Sequence, residues 1–139
     1  MIKANVKYVD GLRFIGVAES GHAVVMDSSP KFGGTDQGPR PMELLLLGLG
    51  GCTGMDVAYV LRKKKQEVED IEISLEGDMA EKEPRRFTDV KIKFTVKGKG
   101  LGREAVEKAI KLSMERYCSV KGTFEGSAKV GWSFEVVET

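Results

Sequence analysis

Apolar and polar residues alternate along the first 27 residues with the period of short β-strands that have one buried face. Near the start, apolar side chains recur at every second position, at Ile2, Ala4, Val6 and Tyr8. Two turn sequences, Asp10-Gly11 and Ser20-Gly21, separate the strands that the pattern predicts at 12–19 and 22–27. The alternation therefore predicts a three-stranded antiparallel meander.

A loop and a long apolar helix follow the meander. Residues 28–40 are rich in Gly, Pro, Ser and Asp, which predicts a loop of a length that often carries function. Pro41 suits a first helical turn, and 42–66 has the character of one helix. Its leucines cover every side, so protein must surround it on most sides. Four interior glycines, at 48, 50, 51 and 54, predict close approach of a second helix, including one from a partner chain.

The second half of the chain predicts a hairpin, a helix and a last strand. Alternation at 71–79 and 87–96 indicates two strands joined by the charged turn EKEPRR. Residues 103–118 carry an apolar stripe at helical spacing, formed by Val106, Ile110, Met114 and Cys118. Alternation returns at 128–136. The order predicts one α+β domain over residues 1–139, with helices against antiparallel sheet and two central helices buried jointly in a dimer.

Composition and charge exclude several classes of function. A chain of 139 residues suits one domain, and its net charge of +1 gives no basic field for nucleic acid or an anionic membrane. His22 is the single histidine, so one chain cannot supply a zinc site that needs two imidazoles. We expect a cytoplasmic protein, because no secretory signal or membrane span stands out in the sequence.

Two cysteines, Cys52 and Cys118, carry the candidate chemistry. A constitutive disulfide is not expected in the cytosol, which keeps most thiols reduced. Cys52 follows two glycines, which leaves its sulfur open to a small molecule. Cys118 is predicted at the C-terminal end of its helix, where the helix dipole disfavours a thiolate. This asymmetry favours Cys52 as the attacking thiol and Cys118 as the thiol that resolves the oxidised product.

A thiolate at Cys52 would need a nearby cation, because the dipole fades three turns from the helix start. Lys31 and Arg40 in the preceding loop are the candidates, and Glu43 would orient an arginine by a bidentate pair. Two plainer interpretations stay open. Glu43 would then be a first-turn carboxylate that stabilises the helix start, and Arg40 a solvated loop charge.

Two motifs and the order of elements resemble the OsmC/Ohr family of thiol peroxidases. The motifs are PMELLLLGLGGCTGMDV at the central helix and YCSV after the second long helix. The chain is most similar to the branch of short, YhfA-type proteins in that family. The resemblance implies an OsmC-like fold, in which antiparallel sheets from two chains wrap two long central helices in an intertwined homodimer.

The family resemblance also implies an activity. It assigns Cys52 as the peroxidatic and Cys118 as the resolving cysteine of an enzyme that reduces organic hydroperoxides. The cycle runs through a sulfenic acid and a disulfide, needs an external dithiol reductant, and uses no cofactor or metal. Aligned on Pro41, the family's supporting glutamate falls on Met42, and its arginine falls near Lys31 and Phe32. With Met55, these three residues are candidates for contact with substrate, beside Arg40 and Glu43 as supports of the thiolate.

Two other functions remain open from the sequence. One is a binding protein that keeps the fold and holds a small apolar or sulfur-containing ligand at the dimer interface. The displaced glutamate and the missing arginine favour it. The other is a structural dimer in which both cysteines are inert, small, buried hydrophobic residues.

Overall fold

The computed structural model describes residues 1–139, with six strands in two three-stranded sheets and three α-helices. The chain divides into two compact units, residues 1–45 and residues 46–139. The strands are β1 Ala4–Asp10, β2 Arg13–Ala18, β3 Ala23–Met26, β4 Glu67–Met79, β5 Phe87–Lys99 and β6 Lys129–Glu138. The helices are α1 Pro41–Lys63, α2 Arg103–Leu112 and α3 Ser119–Phe124.

The first unit contains the predicted meander. Strands β1, β2 and β3 pair in sequence order, and both pairs are antiparallel, as the alternation predicts. Tyr8 pairs with Phe14 across the sheet, and Phe14 pairs with Met26. Gly11 at the first turn has φ +50°, a conformation that side-chain-bearing residues rarely adopt. Apolar side chains such as Val6 and Tyr8 remain more than half exposed, so the sheet has an apolar surface that this chain leaves uncovered.

The loop predicted after β3 is ordered around one buried carboxylate. Asp27 is only 3% exposed and accepts hydrogen bonds from the backbone N–H of Ser28 and from the Oγ1 of Thr35, both at 2.7 Å. The backbone N–H groups of Thr35 and Gln37 donate to the same carboxylate. The Thr35 hydroxyl and these N–H groups lower the pKa of Asp27 to about 2, although burial acts in the opposite direction.

Replacing Asp27 with Asn should release this loop. The folded-state pKa lies below the ordinary value of 3.8, so the ionised carboxylate stabilises the loop above about pH 4 and loses that effect as pH falls towards 2. We expect the amides of Thr35 and Gln37 to exchange faster in Asp27→Asn at pH 7, and in wild type as pH falls through that window, relative to the intrinsic rate. Hydrogen exchange measures both, and Asp10→Asn on the exposed hairpin is the matched control. Unchanged protection in Asp27→Asn would contradict this role.

The second unit has the sheet order β4-β5-β6, and one pairing differs from the prediction. Strands β4 and β5 form the predicted antiparallel hairpin, with Ile73 opposite Phe94. Strand β6 runs parallel to β5, with Phe134 beside Phe94, so an entirely antiparallel sheet is wrong. The chain leaves β5, passes through α2 and α3, and returns in the same direction. A crossover through helices produces parallel pairing, whereas the period of two only shows which face is buried.

Helices α1 and α2 cover one face of this sheet and form the core with it. The other face carries charged residues, among them Lys93, whose Nζ lies 3.4 Å from a carboxylate oxygen of Glu135. Phe94 on the central strand is fully buried. The remaining buried apolar residues of the core are Leu49, Val57, Leu61, Phe87, Val90, Ile92, Val96, Val106, Ala109, Ile110, Met114, Cys118 and Phe124.

Two of the four interior glycines of α1 face a strand of the same chain rather than a helix. A Cβ at Gly50 would lie 2.8 Å from Leu75 Cδ1, and one at Gly54 would lie 2.9 Å from Ile73 Cδ1. At these two positions the expectation of a neighbouring helix is wrong, because side chains of β4 fill the space. Gly48 and Gly51 have no atom of this chain within 4 Å of the Cβ position. Approach of a partner helix at those two stays a prediction.

One face of α1 is apolar and bare in this chain. Leu47, Gly51, Met55 and Tyr59 lie one helical turn apart along it, and Met55 is 75% exposed. We call these four residues the open face of α1. By length and composition alone α1 could cross a membrane, since an 18-residue window has a mean hydropathy of 1.7, with 28% of that window buried. The opposite side of the helix packs on β4 and β5, so the open face is the part that needs cover.

Candidate redox site

Cys52 lies in the middle of α1, and two other residues of that helix belong to the same site. Thr53 follows it directly and is fully buried, and Asp56 lies one turn further along, on the same side as Cys52. Cys52 itself is partly exposed. The preceding glycines add no side chain that would block the sulfur, so the predicted steric access is consistent with this partial exposure.

Cys118 lies between the end of the helical run 103–117 and the start of α3. Helix α2 ends at Leu112, a π-helical turn spans Ser113–Tyr117, and the Cys118 N–H donates to the carbonyl of Ser113 at 2.8 Å. Helix α3 then begins, and the Cys118 sulfur accepts a hydrogen bond from the Lys121 N–H at 3.4 Å. The chain is helical without a gap over 103–117, so the prediction that Cys118 lies at the C-terminal end of its helix is confirmed, as is its predicted burial, at 5% exposure.

The fold brings both thiols and one carboxylate together. The Sγ atoms of Cys52 and Cys118 and a carboxylate oxygen of Asp56 all lie within 4.8 Å of one another. Both cysteines are free thiols. Three elements supply this cluster: α1 carries Cys52 and Asp56, the π-helical turn sets the position of Cys118, and α3 holds its sulfur by a backbone N–H.

The two thiols differ in their surroundings. Burial raises the pKa of Cys118 to about 11, and the hydrogen bond with Cys52 and the charge of Asp56 act in the same direction, whereas the Lys121 N–H lowers it. Cys118 is thus held as a neutral thiol at pH 7. The direction agrees with the expectation of a poor first attacker, but burial rather than a helix C-terminus is the main cause.

A buried chain of hydroxyl groups positions Asp56. Ser113 Oγ donates to Asp56 Oδ2 at 2.8 Å, and Thr53 Oγ1 lies 2.7 Å from Ser113 Oγ. Because the Ser113 proton goes to the carboxylate, the Thr53 hydroxyl is the donor to Ser113. The sequence analysis missed Asp56, Ser113 and Thr53. The signal was present, since Asp56 is the one carboxylate of this apolar helix beyond its first turn, and it lies one turn after a cysteine.

An open groove of about 440 Å³ runs past Asp56. Two lysines, two tyrosines and two aliphatic residues share its walls with the carboxylate. They are Tyr59, Val60, Lys63, Lys64, Leu112 and Tyr117. The groove gives this part of the unit a mixed apolar and cationic approach to the carboxylate that lies beside the two sulfurs.

The same cluster offers fewer donors than a structural metal centre needs. Zinc in such centres takes four protein ligands, usually thiolates and imidazoles. Here three donors converge, and the buried thiol of Cys118 is held in its protonated form. The chemistry that the arrangement supports is therefore thiol chemistry between two sulfurs of unequal exposure.

In the first unit, Arg40 and Glu43 do not form the predicted side-chain pair. The Arg40 guanidinium donates to Asp36 Oδ1 at 2.6 Å and to the carbonyl of Gly38 at 3.1 Å. Glu43 Oε1 accepts the backbone N–H of Arg40 at 2.7 Å, as the third residue of a helix often does when it caps the first turn. In this chain the bidentate pair is thus replaced by an Asp36 pair and a helix cap.

The other predicted contact residues lie in separate surroundings. The Nζ of Lys31 is 5.6 Å from the centre of the Phe32 ring, which is 70% exposed. Met42 is half-buried in the first turn of α1, and Met55 belongs to the open face of α1. The structure brings Cys52 and Cys118 together in the second unit. The roles of Lys31, Phe32, Met42, Met55, Arg40 and Glu43 stay predictions.

Comparison with known proteins is consistent with this arrangement of elements. The family model described as OsmC-like protein matches residues 34–133. Protein YhfA of Escherichia coli strain K12 is 40% identical over 136 residues, which cover 98% of each chain. Several solved structures share the fold. One of them, a hypothetical protein from Aquifex aeolicus, is 33% identical and has a TM-score of 0.82, over 98% of this chain and 97% of that one.

A more distant solved structure is an organic hydroperoxide resistance protein OsmC from Legionella pneumophila. It is 18% identical, has a TM-score of 0.70, and covers 98% of this chain and 97% of its own. At that identity it shows the fold alone. The family model and the near full-length relatives together place the sequence, and this chain belongs to the OsmC-like protein family.

Proposed function

We propose that the protein is a thiol peroxidase that reduces organic hydroperoxides through Cys52 and Cys118. One observation carries the proposal, namely that the two free sulfurs lie within 4.8 Å of each other with unequal exposure. A disulfide needs a sulfur separation of about 2.05 Å, so closure requires a movement of less than about 3 Å. Two inert core cysteines have no need to lie so close together. A two-cysteine cycle, in contrast, uses an exposed thiol such as Cys52 next to a buried thiol such as Cys118.

In the first step the Cys52 thiolate attacks the distal oxygen of the hydroperoxide. The O–O bond breaks, Cys52 becomes a sulfenic acid, and the alkoxide leaves as an alcohol after it takes a proton. Cys52 is the partly exposed thiol, whereas Cys118 is buried and protonated at neutral pH. This order of reaction follows from access and from the raised pKa of Cys118.

In the second step Cys118 condenses with the sulfenic acid. The Cys118 sulfur forms a bond with the Cys52 sulfur, the S–O bond breaks, and water leaves. The disulfide is then reduced by an external dithiol, which exchanges through a mixed disulfide and returns both thiols. Protein groups alone supply every atom except the hydroperoxide and the reductant, so the cycle uses no cofactor.

An organic rather than an inorganic hydroperoxide suits the surface near Cys52. Met55, three residues after Cys52 in α1, is apolar and 75% exposed, and burial of an alkyl group against its side chain contributes about 25 cal/mol per Å² of apolar surface. The Legionella pneumophila structure and another from Elizabethkingia anophelis are both described as organic hydroperoxide resistance proteins. These names support a hydroperoxide as the substrate class of the present chain.

The proposal includes a homodimer. The open face of α1 and the apolar surface of the β1–β3 sheet are too large to stay in water, and a second copy of the chain is the expected cover. An intertwined dimer would place residues of one chain beside Cys52 of the other, including Lys31, Phe32, Arg40, Met42 and Glu43. The chain would act in the cytoplasm as one OsmC-like domain, where thiols are kept reduced.

The direct test is hydroperoxide consumption that depends on a dithiol. We expect the purified protein to consume cumene hydroperoxide with a dithiol reductant at a higher kcat/KM than hydrogen peroxide. The control is native protein in which Cys52 alone has been alkylated, as verified by mass. Protein that has been alkylated at both thiols under denaturing conditions and then refolded is not a suitable control. Equal consumption by native and alkylated protein would refute the activity.

One observation favours a binding protein as the second candidate. The Arg40 guanidinium is held by Asp36, and Met42 stands where the family's glutamate falls, so the usual supports of the thiolate are altered. Such a protein would bind a small apolar or sulfur-containing ligand at the dimer interface. Alkylation separates the two candidates, since the peroxidase predicts that Cys52 reacts faster than free cysteine at pH 7, and the binding protein predicts equal or slower reaction.

A further inference from the structure

We infer that Asp56 is the proton relay of the resolving step: it takes the proton of Cys118 as that sulfur attacks Cys52, and passes it to the group that leaves. The inference rests on the proposed function for its physiological setting. It assigns a role to a residue that is distinct from the arginine and glutamate to which the family resemblance points. The geometry that carries it is the joint position of one carboxylate beside both sulfurs.

The resolving step requires a proton to leave Cys118 and a proton to reach the oxygen that departs from Cys52. A thiol with a pKa of about 11 is a thiolate in only about one molecule in ten thousand at pH 7. Only the thiolate attacks a sulfenic acid, and hydroxide is a poor leaving group unless it is protonated. A base beside Cys118 and an acid beside Cys52 are therefore both needed, and one group that reaches both sulfurs can act as each in turn.

Asp56 meets the geometric requirement. Its carboxylate oxygen lies within 4.8 Å of each sulfur, a separation that one water molecule or a small side-chain rotation bridges. No other carboxylate belongs to the cluster. The groove that runs past Asp56 admits water from the surface, with Lys63, Lys64 and Tyr117 as the titratable groups along its wall beside Tyr59.

The hydroxyl chain explains why the carboxylate keeps this position. Ser113 is fully buried and donates to Asp56 Oδ2, and Thr53, also fully buried, stands behind it. Both hydroxyls lie in the core between α1 and the π-helical turn that sets Cys118. The bond from Ser113 fixes one carboxylate oxygen, so the side chain is oriented by the same turn that delivers the resolving thiol.

The balanced step is short. The Cys118 thiol gives its proton to Asp56 while its sulfur attacks the Cys52 sulfur. Asp56 passes that proton to the sulfenic oxygen as the S–O bond breaks, so the oxygen leaves as water. Cys118 is oxidised and Cys52 is reduced from the sulfenic acid to the disulfide level, so no further oxidant is needed. Asp56 ends the step as the carboxylate it was at the start.

A disulfide probe tests the relay without a hydroperoxide. Dipyridyl disulfide reacts first with Cys52 and releases one thiopyridone, and attack of Cys118 on that mixed disulfide releases the second. We expect Asp56→Asn to slow the second release at least about tenfold at pH 7, measured against the first release of the same protein, since a positioned base contributes about 10²-fold or more. The deficit should shrink at high pH, where solvent hydroxide deprotonates Cys118 directly.

A role of Asp56 through its charge alone predicts the opposite change in the second release. If Asp56 acted only through its charge, its removal would make Cys118 more acidic and the second release would become faster. A second release that is faster or unchanged in Asp56→Asn overturns the relay. Asp70→Asn on the exposed surface of β4 is the matched control for loss of one carboxylate, and it should match wild type in both releases.

Two further measurements keep the result interpretable. If Asp56→Asn does not fold by circular dichroism, Ser113→Ala carries the test, because it frees the carboxylate without removing it. A slower second release supports the relay, and an equal or faster one overturns it. Cumene hydroperoxide consumption by wild type is scored separately. A protein inactive towards hydroperoxides with an Asp56-dependent second release refutes only the proposed function, and an active one without that dependence refutes only the relay.

Discussion

Cys52→Ser is expected to lose hydroperoxide turnover by at least about a thousandfold, because a serine oxygen cannot be oxidised to a counterpart of the sulfenic acid. Cys118→Ser is expected to behave differently. It should consume one equivalent of cumene hydroperoxide per chain and then stop, since the sulfenic acid at Cys52 has no partner within the protein. Rapid mixing with a hydroperoxide and trapping of the sulfenic acid with dimedone measure both outcomes.

The two substitutions control for each other, because each replaces a single sulfur with oxygen in the same cluster. Circular dichroism should show both variants folded, since sulfur and oxygen differ little in size. A dimedone adduct at Cys118 in the Cys52→Ser protein, formed as fast as that at Cys52 in Cys118→Ser, would reverse the assignment of roles. Full multiple turnover by Cys118→Ser with a dithiol would show that the reductant reaches Cys52 directly.

Leu47→Lys is expected to disrupt the proposed homodimer. The substitution puts a charge on the open face of α1, where the side chain of Leu47 is 62% exposed in one chain and would be buried against the second copy. An unpaired charge at the centre of an interface costs about 2 kcal/mol or more, which weakens association at least about thirtyfold. Sedimentation velocity over a range of concentrations gives the change in the dissociation constant.

Ser74→Lys is the matched control for this test. It introduces the same side chain at an exposed position of β4, on the sheet face opposite to α1. A dimer that is intact in Ser74→Lys and weakened in Leu47→Lys supports the proposal. If wild type is a monomer at micromolar concentration, or if both variants dimerise as wild type does, the second copy does not cover the open face of α1.

The sequence predicted the elements of the fold well, because periodicity reports which side of each element is buried. The alternation at the start corresponds to β1–β3, and the stripe from Val106 to Cys118 is buried throughout. The direction of β6 was wrong, since alternation is the same in parallel and antiparallel strands. The end of the second long helix was predicted correctly, although its last turn, Ser113–Tyr117, is π-helical.

The two cysteines of the candidate site were predicted from the sequence, whereas the carboxylate beside them and the hydroxyls that hold it were not. Cysteines are rare in this chain, so two of them draw attention, and their family-like contexts assign them a reaction. Asp56 is one of 21 acidic residues and has no motif of its own. Its importance depends on a contact with Ser113 across 57 positions of the chain, which no local pattern contains. Asp36 was missed for a similar reason, because Glu43 lies as close to Arg40 in sequence and competes for the same pairing.

The most direct test of the central claim is a count of thiols and a peptide map after one equivalent of cumene hydroperoxide under anaerobic conditions. The account predicts that each chain loses two thiols and that its intact mass falls by two hydrogens. Proteolysis should then release one disulfide-linked pair of peptides that contain Cys52 and Cys118 of the same chain. Recovery of both thiols unchanged, or oxygen addition at Cys52 with Cys118 still free, would contradict the claim that these two sulfurs form one redox site.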